Sequence, residues 1–119
     1  MTEHEPRACN AALSRAFGFL GKRWSGVLLG TLGDGPMGFA ELKRAVAGIS
    51  DSMLSERLSE LSHAGLVERE VEPGPPVSVA YRLTDSGAAL LPALDALTSW
   101  AEGNLPSDRP VGAAADASA

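Results

Sequence analysis

The sequence predicts a mainly α-helical fold that carries one small β-hairpin, and three observations support this prediction. Most of the chain has apolar residues spaced three and four apart, which is the period of one helical face. One segment around residue 80 instead alternates apolar and polar residues, as a half-buried strand does. The length of 119 residues suits a single domain.

Three helices are predicted in the first half of the chain. The first covers residues 8–20. The second begins at Trp24 and ends before residues 33–36, whose sequence Gly-Asp-Gly-Pro forces a turn. The third is short and amphipathic and covers residues 39–46, and Gly48 after it closes the helix.

The fourth predicted helix has an unusual polar face. Ser50 or Asp51 can cap its first turn, because a short side-chain oxygen there accepts a hydrogen bond from a free backbone amide. The helix ends at Ala64-Gly65, and three leucines form its core stripe. At about 100° per residue, the opposite face carries Ser52, Glu56, Ser59 and His63, with Ser55 and Ser62 flanking it. The candidates to face bases are Ser52, Ser55, Glu56, Ser59 and His63.

Two strands and one helix are predicted to follow. The strands cover residues 66–72 and 77–84, and the proline-rich segment between them forms a stiff hairpin tip. A last helix is capped by Thr84 or Asp85. Pro92 would either lie near the first turn of that helix or kink it.

This order of elements is that of a winged helix-turn-helix with extra N- and C-terminal dimerisation helices. Residues 47–50 are the turn, and the fourth helix would enter a DNA major groove. We therefore expect a flexible N-terminus at residues 1–8, the winged domain with its dimerisation helices at 9–105, and a disordered tail at 106–119.

Candidates for DNA contacts lie on the third helix, the fourth helix and the hairpin. Short hydroxyls permit close approach to bases, and Glu56 could accept from a cytosine amine. Lys43, Arg44 and Arg57 are the first candidates for backbone phosphates, with surface salt bridging as the alternative. The full set is Lys43, Arg44, Ser50, Ser52, Ser55, Glu56, Arg57, Ser59, His63, Arg69 and Arg82.

A dimer interface is predicted on the first and last helices. A winged domain already packs its own leucines, so a further amphipathic helix that ends in a large aromatic needs another surface. The alternative is that these residues form the core of a monomer. The predicted interface residues are Leu13, Phe17, Leu20, Leu90, Leu94, Leu97 and Trp100.

Cys9 is the only cysteine, so the chain cannot form an internal disulfide. It lies near the predicted start of the first helix, two residues from Arg7, where positive potential favours a thiolate. We therefore consider Cys9 a candidate redox or electrophile sensor, with a small buried apolar residue as the alternative. No metal site and no cofactor are predicted, since neither histidine has a ligand spacing.

Charge and patterning exclude several classes of function. The net charge of −5 opposes non-specific attraction to a polyanion. The sequence has no base-partnered nucleophile and no phosphate-binding glycine loop, so an enzyme is not predicted. It also has no apolar run of about 18 residues and no secretory leader pattern, so we expect a cytoplasmic protein without a membrane contact.

Short motifs between residues 9 and 101 carry a family resemblance. They are Cys9, Gly21-Lys22-Arg23-Trp24, Phe39-Ala40-Glu41-Leu42-Lys43-Arg44, Gly48-Ile49-Ser50, Met53-Leu54-Ser55-Glu56-Arg57-Leu58, Leu61, Gly65-Leu66-Val67-Glu68-Arg69, Pro75-Pro76, Tyr81-Arg82-Leu83-Thr84, Gly87 and Trp100. In this order the chain resembles the HxlR family of bacterial transcriptional regulators, a branch close to the MarR-type winged helices. The wing tip departs from the family by having Val77 and Ser78 where a basic residue is common.

The resemblance implies a homodimer that binds double-stranded operator DNA, and some members sense oxidants, electrophiles or small molecules. The hypothesis is a sequence-specific DNA-binding transcriptional regulator that responds to such an effector. The alternative is a ligand-binding or protein-interaction module that keeps the winged-helix fold with weak or no DNA binding. The acidic balance and the missing wing charge favour that alternative.

Overall fold

The computed structural model describes residues 4–105, with side chains from residue 10 onward. The prediction of a disordered tail at 106–119 lies outside the described residues. The chain divides into two units, one that ends at Ala89 and one that begins at Leu90. The elements are α1 (His4–Leu20), α2 (Ser25–Leu32), α3 (Phe39–Ala45), α4 (Asp51–His63), β1 (Val67–Glu72), β2 (Ser78–Leu83), α5 (Asp85–Ala88) and α6 (Leu91–Asn104).

Helix α1 begins at His4, four residues before the predicted start and inside the segment predicted to be flexible. Its first turn contains Glu5 and Pro6. Proline is common in a first turn, because the amide at that position has no partner in the helix. The sequence is therefore compatible with the earlier start.

The core of the first unit is formed mainly by leucines from α2, α3 and α4. The three predicted leucines of α4 are at most 1% exposed. In α2 the three- and four-residue spacing of apolar residues predicts Val27 and not Leu29 on the buried face, and this is wrong because Val27 is exposed and Leu29 is fully buried. The buried leucines of these helices are Leu28, Leu29, Leu32, Leu42, Leu54, Leu58 and Leu61. Helix α4 is thus fixed by one side, and its other side faces outward.

The turn between α3 and α4 is built by local hydrogen bonds and one ion pair. Gly48 has φ +96°, a left-handed conformation that glycine adopts without strain. Ser50 is the N-cap of α4, and its Oγ accepts from the Met53 amide at 3.1 Å. Lys43 Nζ lies 3.1 Å from Asp51 Oδ1, which joins the end of α3 to the start of α4.

Strands β1 and β2 form an antiparallel hairpin, called the wing below. Arg69 pairs with Tyr81 across the two strands. The Tyr81 amide donates to the Met37 carbonyl at 2.8 Å, and the Met37 amide donates to the Tyr81 carbonyl at 3.0 Å. The base of the wing is therefore held against the segment that precedes α3.

The prediction of one continuous last helix is wrong, because the structure has α5 and α6 in its place. Thr84 caps α5, and its Oγ1 accepts from the Gly87 amide at 3.1 Å. Pro92 lies in the first turn of α6, which was one of the two alternatives predicted for it. Proline has no amide proton to donate to the carbonyl four residues earlier, so the helix stops before it and a new one begins.

Candidate nucleic-acid interface

The outward side of α4 carries every side chain predicted to face bases. Each of these five side chains is exposed, while the leucines on the opposite side are buried. The residues are Ser52, Ser55, Glu56, Ser59 and His63. Because hydroxyls are short, this arrangement lets the backbone of α4 come close to a partner surface. We call this set the α4 outward face.

Two members of the predicted DNA-binding set also have structural roles in α4. The Ser50 hydroxyl caps the helix and lies 3.4 Å from the Ser52 hydroxyl. The His63 ring nitrogen Nδ1 lies 3.0 Å from the Ser59 carbonyl oxygen. A proton on Nδ1 satisfies that contact and leaves Nε2 available to a partner.

Ion pairs divide the predicted phosphate-binding side chains into two groups. Arg82 is neutralised by Glu70 at 3.1 Å and by Glu68 at 3.5 Å, both on the neighbouring strand. Lys43 is paired with Asp51, as described above. Within residues 10–105, by contrast, Arg44 and Arg69 have no carboxylate within 4 Å. These two exposed arginines retain their full charge for a partner.

Arg57 was predicted to contact phosphate, and its geometry favours the salt-bridging alternative instead. Its side chain is only 12% exposed. Its Nε donates to the Arg23 carbonyl at 3.0 Å, and its Nη1 donates to Glu60 at 3.1 Å. Glu56 Oε2 lies 3.5 Å from the same Nη1 atom. The guanidinium therefore fastens α4 to the loop before α2, and we omit it from the proposed phosphate contacts.

Replacing Arg57 with alanine is expected to lower the free energy of unfolding by about 1–3 kcal/mol, because it removes two hydrogen bonds of a largely buried guanidinium, one to the Arg23 carbonyl and one to Glu60 Oε1. Urea denaturation measures this difference. Arg44→Ala is the matched control, and we expect a change within about 0.5 kcal/mol because its exposed side chain has no hydrogen bond or ion pair with any of residues 10–105. Equal stabilities of the two variants would show that Arg57 has no structural role.

The loop at residues 21–24 contacts α4 in a way that the sequence analysis missed. Lys22 Nζ lies 3.2 Å from Glu60 Oε2. Trp24 has φ +84°, and the Arg23 guanidinium lies 4.6 Å from the centre of its ring. A cation over an aromatic face is stabilising. The Gly-Lys-Arg-Trp motif at residues 21–24 marked this loop in the sequence, but only the fold shows that the loop is bonded to α4.

The residues predicted to form a dimer interface are partly exposed within each unit. On α1, Leu13 is 55% and Phe17 50% exposed, and Leu20 is half-buried. On α6, Leu97 is 47% and Trp100 55% exposed, and Leu90 and Leu94 are half-buried. No residue of α6 is buried within the described part of the chain. Large apolar side chains at this exposure are typical of a surface that another chain covers.

Cys9 is the sixth residue of α1, counted from His4, and its side chain lies outside the described residues. The helix dipole acts mainly within the first turn, and α1 begins five residues before Cys9 rather than one. The dipole therefore does not favour a thiolate at Cys9, contrary to the expectation from the sequence.

A sequence model of the family described as HxlR-like helix-turn-helix matches residues 19–109. The chain belongs to this family. The match includes α4, the turn before it and the wing, which together form the DNA-binding unit of a winged helix-turn-helix. The HxlR-like chain is thus a winged helix-turn-helix protein of the transcription-regulator class.

Similar proteins include the HTH-type transcriptional regulator YodB of Bacillus subtilis, which is 43% identical over 90 residues. That alignment covers 76% of this HxlR-like chain and 80% of YodB. The structure of reduced YodB matches with a TM-score of 0.73 at 41% identity, over 80% of this chain and 93% of that one. Quinone-bound YodB matches with a TM-score of 0.68 at 39% identity, over 78% and 98%.

The redox regulator HypR in its oxidised form is a further structural match of this HxlR-like chain. Its TM-score is 0.75 at 33% identity, over 84% of this chain and 99% of HypR. Within the described residues, the structure has no helix long and apolar enough to cross a membrane. The same residues contain no cluster of three or more His, Cys, Asp or Glu side chains that could hold a metal ion.

Proposed function

We propose that this chain is a homodimeric, sequence-specific transcription factor that places α4 of each protomer in successive major grooves of an operator. One observation carries the proposal. The α4 outward face is exposed along its whole length, while the opposite leucines are at most 1% exposed. A rigidly seated helix with short polar side chains outward suits a groove about 12 Å wide.

Direct base contacts are assigned to the serines of the α4 outward face and to Glu56. Serine hydroxyls both donate and accept, so they can bind several base edges. Glu56 accepts from a cytosine amine, which gives a preference for particular base pairs. Arg44 and Arg69 supply the charge for backbone phosphates, with a smaller contribution from Lys43 because Asp51 neutralises it.

Operator binding is expected to depend on salt less steeply than in a strongly basic regulator. Two free arginines per protomer make about four phosphate contacts per dimer, so log K falls with log salt at a slope of about −4. Between about 50 and 200 mM salt, the affinity then falls about 250-fold. Mobility shifts with the region upstream of the chain's own gene, read at both salt concentrations, measure the slope. No shift at the lower salt concentration supports the alternative of a binding module without DNA affinity.

We further propose that an electrophile or an oxidant controls this DNA binding through Cys9. The similarity to YodB, which has been solved with a bound quinone, and to the redox regulator HypR supports this proposal. Since Cys9 is the only cysteine, a disulfide at this position would join two protomers. We also propose that the protein is cytoplasmic, because a transcription factor of this kind binds chromosomal DNA.

The effector proposal predicts that a quinone weakens operator binding by the wild-type protein at least tenfold, and that Cys9→Ser removes this response. Quantitative mobility shifts with and without quinone measure the change, and binding by Cys9→Ser without quinone is the control. An equal response in both proteins would place the reaction away from Cys9.

A further inference from the structure

A cleft of about 280 Å³ lies between α4 and the base of the wing. Its floor is Leu58, which is buried. Its walls are formed by four side chains of α4 and two of the wing, namely Ser55, Ser59, Ser62, His63, Arg69 and Tyr81. No acidic side chain is among these residues. The cleft therefore combines hydroxyls and an imidazole with one positive charge.

The wing separates its charges between its two faces. Glu68, Glu70 and Glu72 alternate with Arg69 along β1, so the three carboxylates share the face opposite to the cleft. Two of them neutralise Arg82, which leaves the outer face and the tip of the wing without a free cation. Arg69 is thus the unneutralised cation of the wing, and it lines the cleft.

The cleft is held in place on both sides. Tyr81 is paired with Arg69 in the hairpin, and its backbone is bonded in both directions to Met37 at 2.8 and 3.0 Å. On the other side, α4 is fixed by its buried leucines. Because the backbone of neither wall has to be rearranged, binding of an anion here costs only the ordering of the side chains that line the cleft.

We infer that this cleft is a phosphate-binding site, in which Arg69 supplies the charge while Tyr81 and Ser62 supply neutral donors. The inference rests on the proposed function for its main ligand, a single backbone phosphate of the operator. Ser55, Ser59 and His63 belong to both the cleft and the α4 outward face. A duplex seated on α4 therefore carries one strand past the mouth of the cleft. The wing of this protein contacts DNA at its base rather than at its tip.

Two arginines of the wing provide a matched pair of variants. Arg69→Ala is expected to reduce operator affinity at least tenfold on every sequence alike, and to make the salt slope of the dimer shallower by about 2, one unit for each lost phosphate contact. Arg82→Ala removes an equal charge from the neighbouring strand and is expected to change affinity less than twofold, because Glu68 and Glu70 already neutralise Arg82. Quantitative mobility shifts over a salt series measure both effects.

A second measurement does not depend on DNA. Inorganic phosphate titrated into the full chain, followed by amide NMR at constant ionic strength, is expected to shift the signals of Ser59, Ser62 and Arg69. Tyr81→Phe removes only the hydroxyl and is expected to weaken this binding about threefold or more, while the hairpin keeps its register.

The two measurements separate the possible outcomes. If the wild-type protein binds operator but Arg69→Ala has the same affinity and salt slope, the cleft inference is overturned and the proposed function stands. If the wild-type protein binds no DNA but phosphate shifts the cleft signals, the site is supported with a free phosphate compound as its ligand. If phosphate leaves those signals unmoved, and Arg69→Ala has the same operator affinity and salt slope as Arg82→Ala, the cleft binds neither an operator phosphate nor a free phosphate. The inference is then overturned.

Discussion

Replacing Ser59 with glutamate is expected to abolish operator binding while the fold stays intact. Ser59 is exposed on the α4 outward face and also lines the cleft beside the wing. In the proposed complex, a carboxylate at position 59 faces the duplex, and a dimer of the variant has two such carboxylates. Repulsion from backbone phosphates and the loss of a close approach together reduce the affinity at least 100-fold.

The matched control is Ser86→Glu, which adds the same charge at an exposed position of α5. Mobility shifts measure affinity, and urea denaturation verifies that both variants keep the stability of the wild-type protein. We expect a large loss of operator affinity for Ser59→Glu and little change for Ser86→Glu. Operator binding by Ser59→Glu at wild-type affinity would mean that α4 does not enter the groove.

Replacing Trp100 with glutamate is expected to separate the dimer into monomers. Trp100 is 55% exposed on α6, and in the proposed dimer its ring is covered by the partner protomer. Placing a charge in an apolar interface leaves it without water or a partner, so the dimer dissociation constant rises at least 100-fold. Operator affinity falls with it, since linked half-sites gain about 10²–10⁴ in avidity over a single one.

Sedimentation velocity over a range of protein concentrations measures the association. Val77→Glu is the control, because Val77 is a similarly exposed apolar residue at the tip of the wing, away from α6 in the chain. We expect Val77→Glu to remain dimeric. A wild-type protein that sediments as a monomer at all concentrations, or a Trp100→Glu variant that stays dimeric, would contradict an interface on α6.

The features that the sequence predicted well depend on local signals. The cap at Ser50, the leucine stripe of α4 and the glycine after its last turn are each determined by residues within a few positions of one another. The structure confirms all three. The wing was likewise predicted from alternation and a proline-rich tip, and its paired strands are only slightly shorter than predicted.

The features that the sequence missed depend on contacts between distant residues. The carbonyl that accepts from Arg57 belongs to Arg23, 34 positions earlier, so no local pattern indicates that this guanidinium is bonded within the protein. Arg82 could have been excluded from the phosphate contacts, because the hairpin register places Glu68 opposite to it. The split between α5 and α6 had a local signal in Pro92, but that signal allowed a kinked helix as well as a break.

Methylation protection of a bound operator shows which groove α4 enters, since dimethyl sulfate reacts with guanine N7 in the major groove and with adenine N3 in the minor groove. We expect two clusters of protected guanine N7 atoms about one helical turn apart, about 10–10.5 base pairs, and the loss of both clusters in Ser59→Glu. Protection confined to adenine N3, or one unpaired cluster that persists in Ser59→Glu, would contradict the assignment of α4 as the helix that reads DNA.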